Sequence, residues 1–194
     1  MASLLHLFKK DPDGILQSVN LRIPNDSKRV PVMGDSGQVP FDLVQNGEYG
    51  DFVPVKGSSN ICSWTEYPTN IAFTSLADPA TFALTAPLSG CTIGALKTGV
   101  WFHKARDAAK DSFQQRFKFS LESARSEKLN FIFGPEEYDA VSKTHCPKDP
   151  VQVIVFGMKM PDTVWTFWGQ WQKRTGEDTA TRLTWKQIGR YPNT

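Results

Sequence analysis

The chain has 194 residues, 40% of them apolar and 22% charged, with a formal net charge of +2. These proportions fit one soluble domain over residues 1–194 with room for a real core, and the scattered basic residues give no electrostatic footprint for nucleic acid. Three cysteines, Cys62, Cys91 and Cys146, with no C-x-x-C among them, exclude a disulfide framework and the common zinc patterns.

The N-terminal run Met1–Lys10 holds His6 in a short apolar stretch suited to a helix end, but is too short and wrongly flanked for a secretory signal. Leu16–Pro24 alternates imperfectly and reads as a strand, with Asn25-Asp26 as a turn and Lys28–Met33 as its hairpin partner despite Pro31. Glycines and prolines across residues 34–50 predict surface loops around a short strand near Phe41–Val44. Phe52–Val55 and Asn70–Thr74 are further short strands. Ala86–Leu88 and Leu96–His103 flank Cys91, and the β-branched and aromatic residues before His103 favour a strand that ends there.

Arg106–Arg125 has the helical spacing, with Ala108, Ala109, Phe113, Phe117 and Leu121 recurring at three- to four-residue steps. Lys128–Phe133 reads as a strand closed by Gly134-Pro135, and Pro135 then opens a helix to about Ser142. Three strands end the chain, Val151–Lys159, Val164–Gln172 and Thr181–Tyr191, joined by turns at Met160-Pro161-Asp162 and Thr175-Gly176-Glu177-Asp178. Many strands, few helices and mainly hairpin connections define an α+β domain rich in antiparallel sheet. No apolar run approaches the ~20 residues of a membrane helix.

The chemistry-bearing stretch runs from Thr85 to His103. Cys91 follows Thr85 by six residues and precedes His103 by twelve. A thiol with a pKa near ~8.5 is mostly protonated at neutral pH, and an adjacent imidazole can take that proton and later return it to a leaving group. Gly90 permits a tight turn that would push the sulfur out of the sheet, while Gly94 and Gly99 would keep the following hairpin slim. Ser89, Gly90 and Thr92 frame a turn able to aim N–H groups at an oxyanion. Thr85 could accept a bond from the His103 ring, through its hydroxyl or its carbonyl. The bland alternative is a buried, inert Cys91 beside a rim histidine.

Leu88-Ser89-Gly90-Cys91, with Thr85 and His103 at these spacings, resembles the glutamine deamidase toxins of the cytotoxic necrotizing factor type, and in its spacing the Burkholderia lethal factor 1-like members. The resemblance covers about a tenth of the chain. It implies a mixed, largely antiparallel β-sandwich-like core flanked by helices. It also implies Cys91, His103 and Thr85 as the catalytic residues, and no cofactor or metal. The activity implied is conversion of a glutamine of a host target protein to glutamate, the target being a translation-initiation-factor helicase or a Rho-family GTPase. Such a protein is made in a bacterial cytoplasm and delivered to the host cytosol.

Other features read as structure. Trp165, Phe167, Gly169 and Trp171 share one strand face and Trp168 takes the other; packing is the expected use, an aromatic wall beside a groove the alternative. Trp101 and Phe102 point to opposite sides, so one could line the site's mouth. Cys62 beside Trp64 reads as packing, and His145-Cys146-Pro147 as an exposed loop. Glu136-Glu137 and Glu177-Asp178 read as helix-start and turn chemistry. Two other functions compete with deamidation: another Cys–His acyl-transfer enzyme, such as a transglutaminase or peptidase, and a non-catalytic β-rich binding module.

Overall fold

The computed structural model describes residues 4–24, 36–66, 71–105, 129–135, 137, 140, 144, 151–176 and 179–192. The expected helix over 106–125, the hairpin partner over 28–33, His145-Cys146-Pro147, Glu136 and Glu177-Asp178 lie outside them.

Two short helices open the described chain, α1 (Leu4–Lys10) and α2 (Pro12–Ser18). The strand expected over Leu16–Pro24 is therefore wrong in its first part. Asp11 accepts a bond from the Gly14 N–H at 2.9 Å, and Pro12 stands in the first turn. That is a helix start, and it overrides the irregular alternation downstream. Neither helix would persist alone at seven residues; Leu4, Leu5, Phe8 and Leu16 bury them into a core. His6 lies within α1 and is exposed.

Twelve strands follow among the described residues: β1 (Asn20–Arg22), β2 (Gly37–Asn46), β3 (Tyr49–Pro54), β4 (Ile61–Thr65), β5 (Ile71–Ser75), β6 (Phe82–Thr85), β7 (Thr92–Leu96), β8 (Val100–Lys104), β9 (Leu129–Phe133), β10 (Val151–Lys159), β11 (Trp165–Arg174) and β12 (Ala180–Tyr191). They form an eight-stranded sheet, β1-β3-β2-β4-β6-β10-β11-β12, and a four-stranded sheet, β5-β8-β7-β9. Only β1/β3 and β4/β6 pair in parallel. The described residues are thus mostly β, in mixed and largely antiparallel sheets.

The large sheet curls until its two ends meet. The Gln170 amide on β11 accepts from the Leu21 N–H at 2.8 Å and donates to the carbonyls of Leu16 and Val19 at 3.0 and 2.8 Å. Gln172 donates to the Leu21 carbonyl at 2.6 Å. Side-chain amides thus do for β1 what a neighbouring strand would do. Asp51, itself buried, holds the other side of β1 through Arg22 at 2.6 Å.

Inside the curl lies one core, made by α1, α2 and residues such as Phe41, Phe52, Trp64, Phe82, Phe156 and Trp168. The opposite face of β6, β10 and β11 meets the small sheet in a second core that holds Ala83, Val155, Trp165, Phe167 and Trp171 with Cys91, Ile93, Ala95, Trp101 and Phe133. The aromatic residues of β11 divide between the two cores by the two-residue period, Trp168 alone facing inward, and all are buried. Cys62 is buried packing in the first core.

The hairpin expected after Cys91 is present, but the strand expected over Leu96–His103 starts only at Val100, because Leu96 ends β7. β7 and β8 are joined through a turn in which Gly99 has φ +78°. Gly94 on β7 lies under the Phe102 ring, and a Cβ there would come within 2.6 Å of the Phe131 carbonyl oxygen, so the residue that breaks the strand pattern is required by close packing. Trp101 and Phe102 do point to opposite faces, yet both are buried, so neither lines an open mouth. Ala86–Leu88 is not a strand: β6 ends at Thr85, and only Leu88 makes a bridge, to Val153. Pro135, Glu137, Ala140 and Thr144 are helical, and the Glu137 carboxylate accepts the Gly134 N–H at 2.8 Å, a helix-start role.

Candidate active site

Thr85 is the last residue of β6 in the large sheet, whereas His103 sits on β8 in the small one. Residues 86–90 carry the chain across, pinned midway by two backbone bonds of 2.9 Å between Leu88 and Val153. Gly90 has φ +138°, a conformation that side chains with a Cβ rarely adopt. The chain turns there and enters β7 immediately after Cys91.

Register then sets the relation of Cys91 to His103. Ile93 is directly opposite His103 in the antiparallel β7–β8 pair. Cys91 precedes Ile93 by two residues and shares its buried face, which makes it a diagonal neighbour of His103. Both face the large sheet. Cys91 is 2% exposed, His103 0% and Thr85 0%. The sulfur therefore points into the core between the sheets, among Leu88 and Ile93, and is not pushed outward as the Gly90 turn suggested.

The Thr85 hydroxyl lies 2.6 Å from Nδ1 of His103, so of the two modes open to Thr85, its hydroxyl makes the contact. The Glu66 backbone also bonds the imidazole. Burial pushes the His103 pKa from 6.5 down to about 4, and the Glu66 bond opposes that shift only in part. At neutral pH the ring is therefore uncharged, and the same burial makes it a weaker base than an exposed imidazole. Burial likewise pushes the Cys62 thiol well up, which makes it a poor nucleophile.

The remaining motif residues take different places. Ser89 is exposed at the outside of the crossing and Gly90 is buried. Thr92 projects from the other face of β7, where its hydroxyl lies beside Gly134, away from any oxyanion held at Cys91. The structure therefore brings Thr85, Cys91 and His103 to one inter-sheet locus and leaves the side chains of Ser89 and Thr92 out of it. Sequence reading missed the polar residues on the far side of His103: Glu66, and Thr65, which pairs with Thr85 in register. The alternation of Cys62-Ser63-Trp64-Thr65 sets Thr65 and Ser63 on one face, but neither it nor any spacing ties Thr65 or Glu66 to His103.

Among the described residues no group of metal-binding side chains occurs, and no helix is long and apolar enough to cross a membrane. No protein-family model matches this chain, and no curated protein matches it in sequence.

Proposed function

We propose that this chain is a protein-glutamine deamidase of the cytotoxic necrotizing factor type, a toxin or effector with Cys91 as nucleophile, His103 as general base and acid, and Thr85 as the residue that orients the ring. The observation that carries the reading is the 2.6 Å contact of the Thr85 hydroxyl with His103 Nδ1, in a register that sets Cys91 on the same face. With Nδ1 held by Thr85, Nε2 is the nitrogen that exchanges protons. A ring kept neutral by burial takes the thiol proton, and the thiolate attacks the glutamine amide carbon. The tetrahedral intermediate collapses as the imidazolium gives that proton to departing ammonia. Water, deprotonated by the same ring, then cleaves the thioester to leave glutamate, and the ring returns that proton to the departing Cys91 thiolate. The cycle consumes one water, releases one ammonia and needs no cofactor or metal.

Two facing, mostly antiparallel sheets support the β-sandwich-like core that this family implies. By the same resemblance the substrate is a host protein, an initiation-factor helicase whose modification blocks translation or a Rho-family GTPase, met in the host cytosol after synthesis in a bacterium. A thiol 2% exposed meets a protein substrate through local opening of residues 86–90, whose Ser89 already stands in solvent. The same burial favours a second reading, a non-catalytic β-rich module in which Cys91 and His103 are core residues.

Mass spectrometry of host lysate treated with the native chain or with Cys91→Ser separates these readings. Deamidation predicts a glutamine-to-glutamate change in a lysate protein with the native chain only. Trapping of a supplied primary amine in place of water would mark a transglutaminase. No difference between native chain and variant would leave the binding module.

A further inference from the structure

Behind His103 lies a row of buried hydroxyls, of which the mechanism above uses only that of Thr85. Ser63 and Thr65 on β4, Thr74 on β5 and Thr85 on β6 are all buried between the sheets. The Thr74 hydroxyl donates to the Trp64 carbonyl at 2.8 Å and accepts from the Thr65 hydroxyl at 3.2 Å. The Ser63 hydroxyl donates to the Ser75 carbonyl. These bonds belong to no β-ladder, because β4 and β5 lie in different sheets. They join β5, an edge strand of the small sheet, to β4, an interior strand of the large one.

Their position relative to the imidazole is specific. Thr74 lies two residues from Ala72, which is paired with His103, and is itself paired with Trp101 on the same strand as His103. Thr65 pairs with Thr85 and precedes Glu66, and its carbonyl accepts the Ala86 N–H at 3.1 Å. The Glu66 N–H in turn donates to the Ser36 hydroxyl at 3.0 Å. Both polar partners of the ring, Thr85 and the Glu66 backbone, therefore stand at adjoining strand ends of the large sheet. The ring itself rides on the small sheet.

We propose that the Thr65–Thr74 hydroxyl pair is a positioning device for His103: it sets the spacing between the β4/β6 strand ends and the β5–β8 pair so that Nδ1 meets Thr85, the ring meets the Glu66 backbone, and one tautomer is held. Apolar residues of the same shape would fill this space equally well. Hydroxyls add direction, and a site must hold its groups to within ~0.5 Å to work. The catalytic consequence rests on the deamidase reading, whereas the positioning of the ring does not.

The experiment records nitrogen–proton correlation spectra of the imidazole in the whole chain against pH, for the native protein, Thr74→Val, Thr65→Val and Thr74→Ser. The native ring should show a single tautomer, protonated at Nδ1, and titrate near 4. Both valine variants should mix tautomers and titrate below the native ring, because burial persists while the Glu66 bond that raises the pKa is weakened, and Thr74→Ser should restore the native spectrum. Thr65→Val leaves the Thr74–Trp64 bond in place, so it is the milder variant and decides the matter if Thr74→Val does not fold. A folded valine variant with the native tautomer and titration would overturn the proposal.

Alkylation of Cys91 by a neutral haloacetamide is measured in parallel and should slow by at least roughly tenfold in the valine variants. If native Cys91 reacts no faster than Cys62, the deamidase reading fails, while the spectra still decide whether the hydroxyl pair positions the ring.

Discussion

At the scale of single residues, His103 couples the candidate site to stability. The unfolded chain takes up a proton on this histidine near 6.5 and the folded chain only near 4. Between those values the unfolded state binds more protons. The contribution of this group to folding is thus fully present above about pH 6.5 and is lost as the pH falls toward 4, by about 3 kcal/mol in all. Urea unfolding of native chain and His103→Gln across pH 4–7 should show a steeper loss in the native chain, and the difference between the two curves isolates this residue from the carboxylates. Parallel curves would mean that His103 titrates normally. Thr85, Cys91 and His103 were legible in the sequence because all three fall within one short stretch and carry the residue types that acyl transfer needs. Glu66, Thr65 and Thr74 were not. Their relation to His103 exists only once β4 and β5 enter different sheets and face each other, and spacing along the chain does not reveal that.

Among the elements, legibility follows length and the number of exposed faces. The last three strands were read nearly to the residue, since runs of nine to twelve residues rich in aromatic and β-branched side chains and bounded by turn chemistry have few other readings. Strands β4, β6 and β7 were missed. They have four or five residues, and β6 is buried on both faces, so no alternation marks it. The closure of the large sheet was also invisible, because it depends on two glutamines about 150 residues away from the strand that they hold. Gln170→Leu keeps most of the volume of Gln170 but strips the Leu21 N–H and the Leu16 and Val19 carbonyls of their partners. Each buried polar group left unsatisfied costs about 1–3 kcal/mol, so a loss of about 3 kcal/mol or more is expected in urea unfolding. The Leu21 amide should also exchange with solvent much faster. Unchanged protection at Leu21 would show that packing alone closes the sheet.

For the whole molecule, the decisive fact is that the candidate site lies in the core that the two sheets share, while the large sheet encloses a second core with the helices alone. Phe167 is a ring that binds the sheets together, as the Trp171–Phe133 pair also does. It stacks on Trp101 of β8 at 5.2 Å between centroids, touches Phe131 of β9 at 4.6 Å, and leans on its own strand neighbour Trp165 at 6.3 Å. Gly157 lies directly opposite Phe167 in the β10–β11 pair, and a Cβ there would come within 2.5 Å of the ring. The ring therefore has one well-defined seat. Phe156, one residue along β10, points the other way and packs on Phe8 and Trp168 inside the curled sheet. Truncation of either phenylalanine removes a fully buried ring and should cost about 3–5 kcal/mol. The costs should fall in different places. Phe167→Ala should raise amide exchange chiefly in β5, β7, β8 and β9, and with it the alkylation rate of Cys91, because Trp101 stands two residues from His103 on the same face. Phe156→Ala should instead loosen α1, α2 and β1–β3 and leave the small sheet protected below the global unfolding limit. Hydrogen exchange read by mass spectrometry distinguishes the two patterns. If both variants loosen all strands equally, the sheets unfold as one unit, and an opening confined to the residues around Cys91 is not available to admit a substrate.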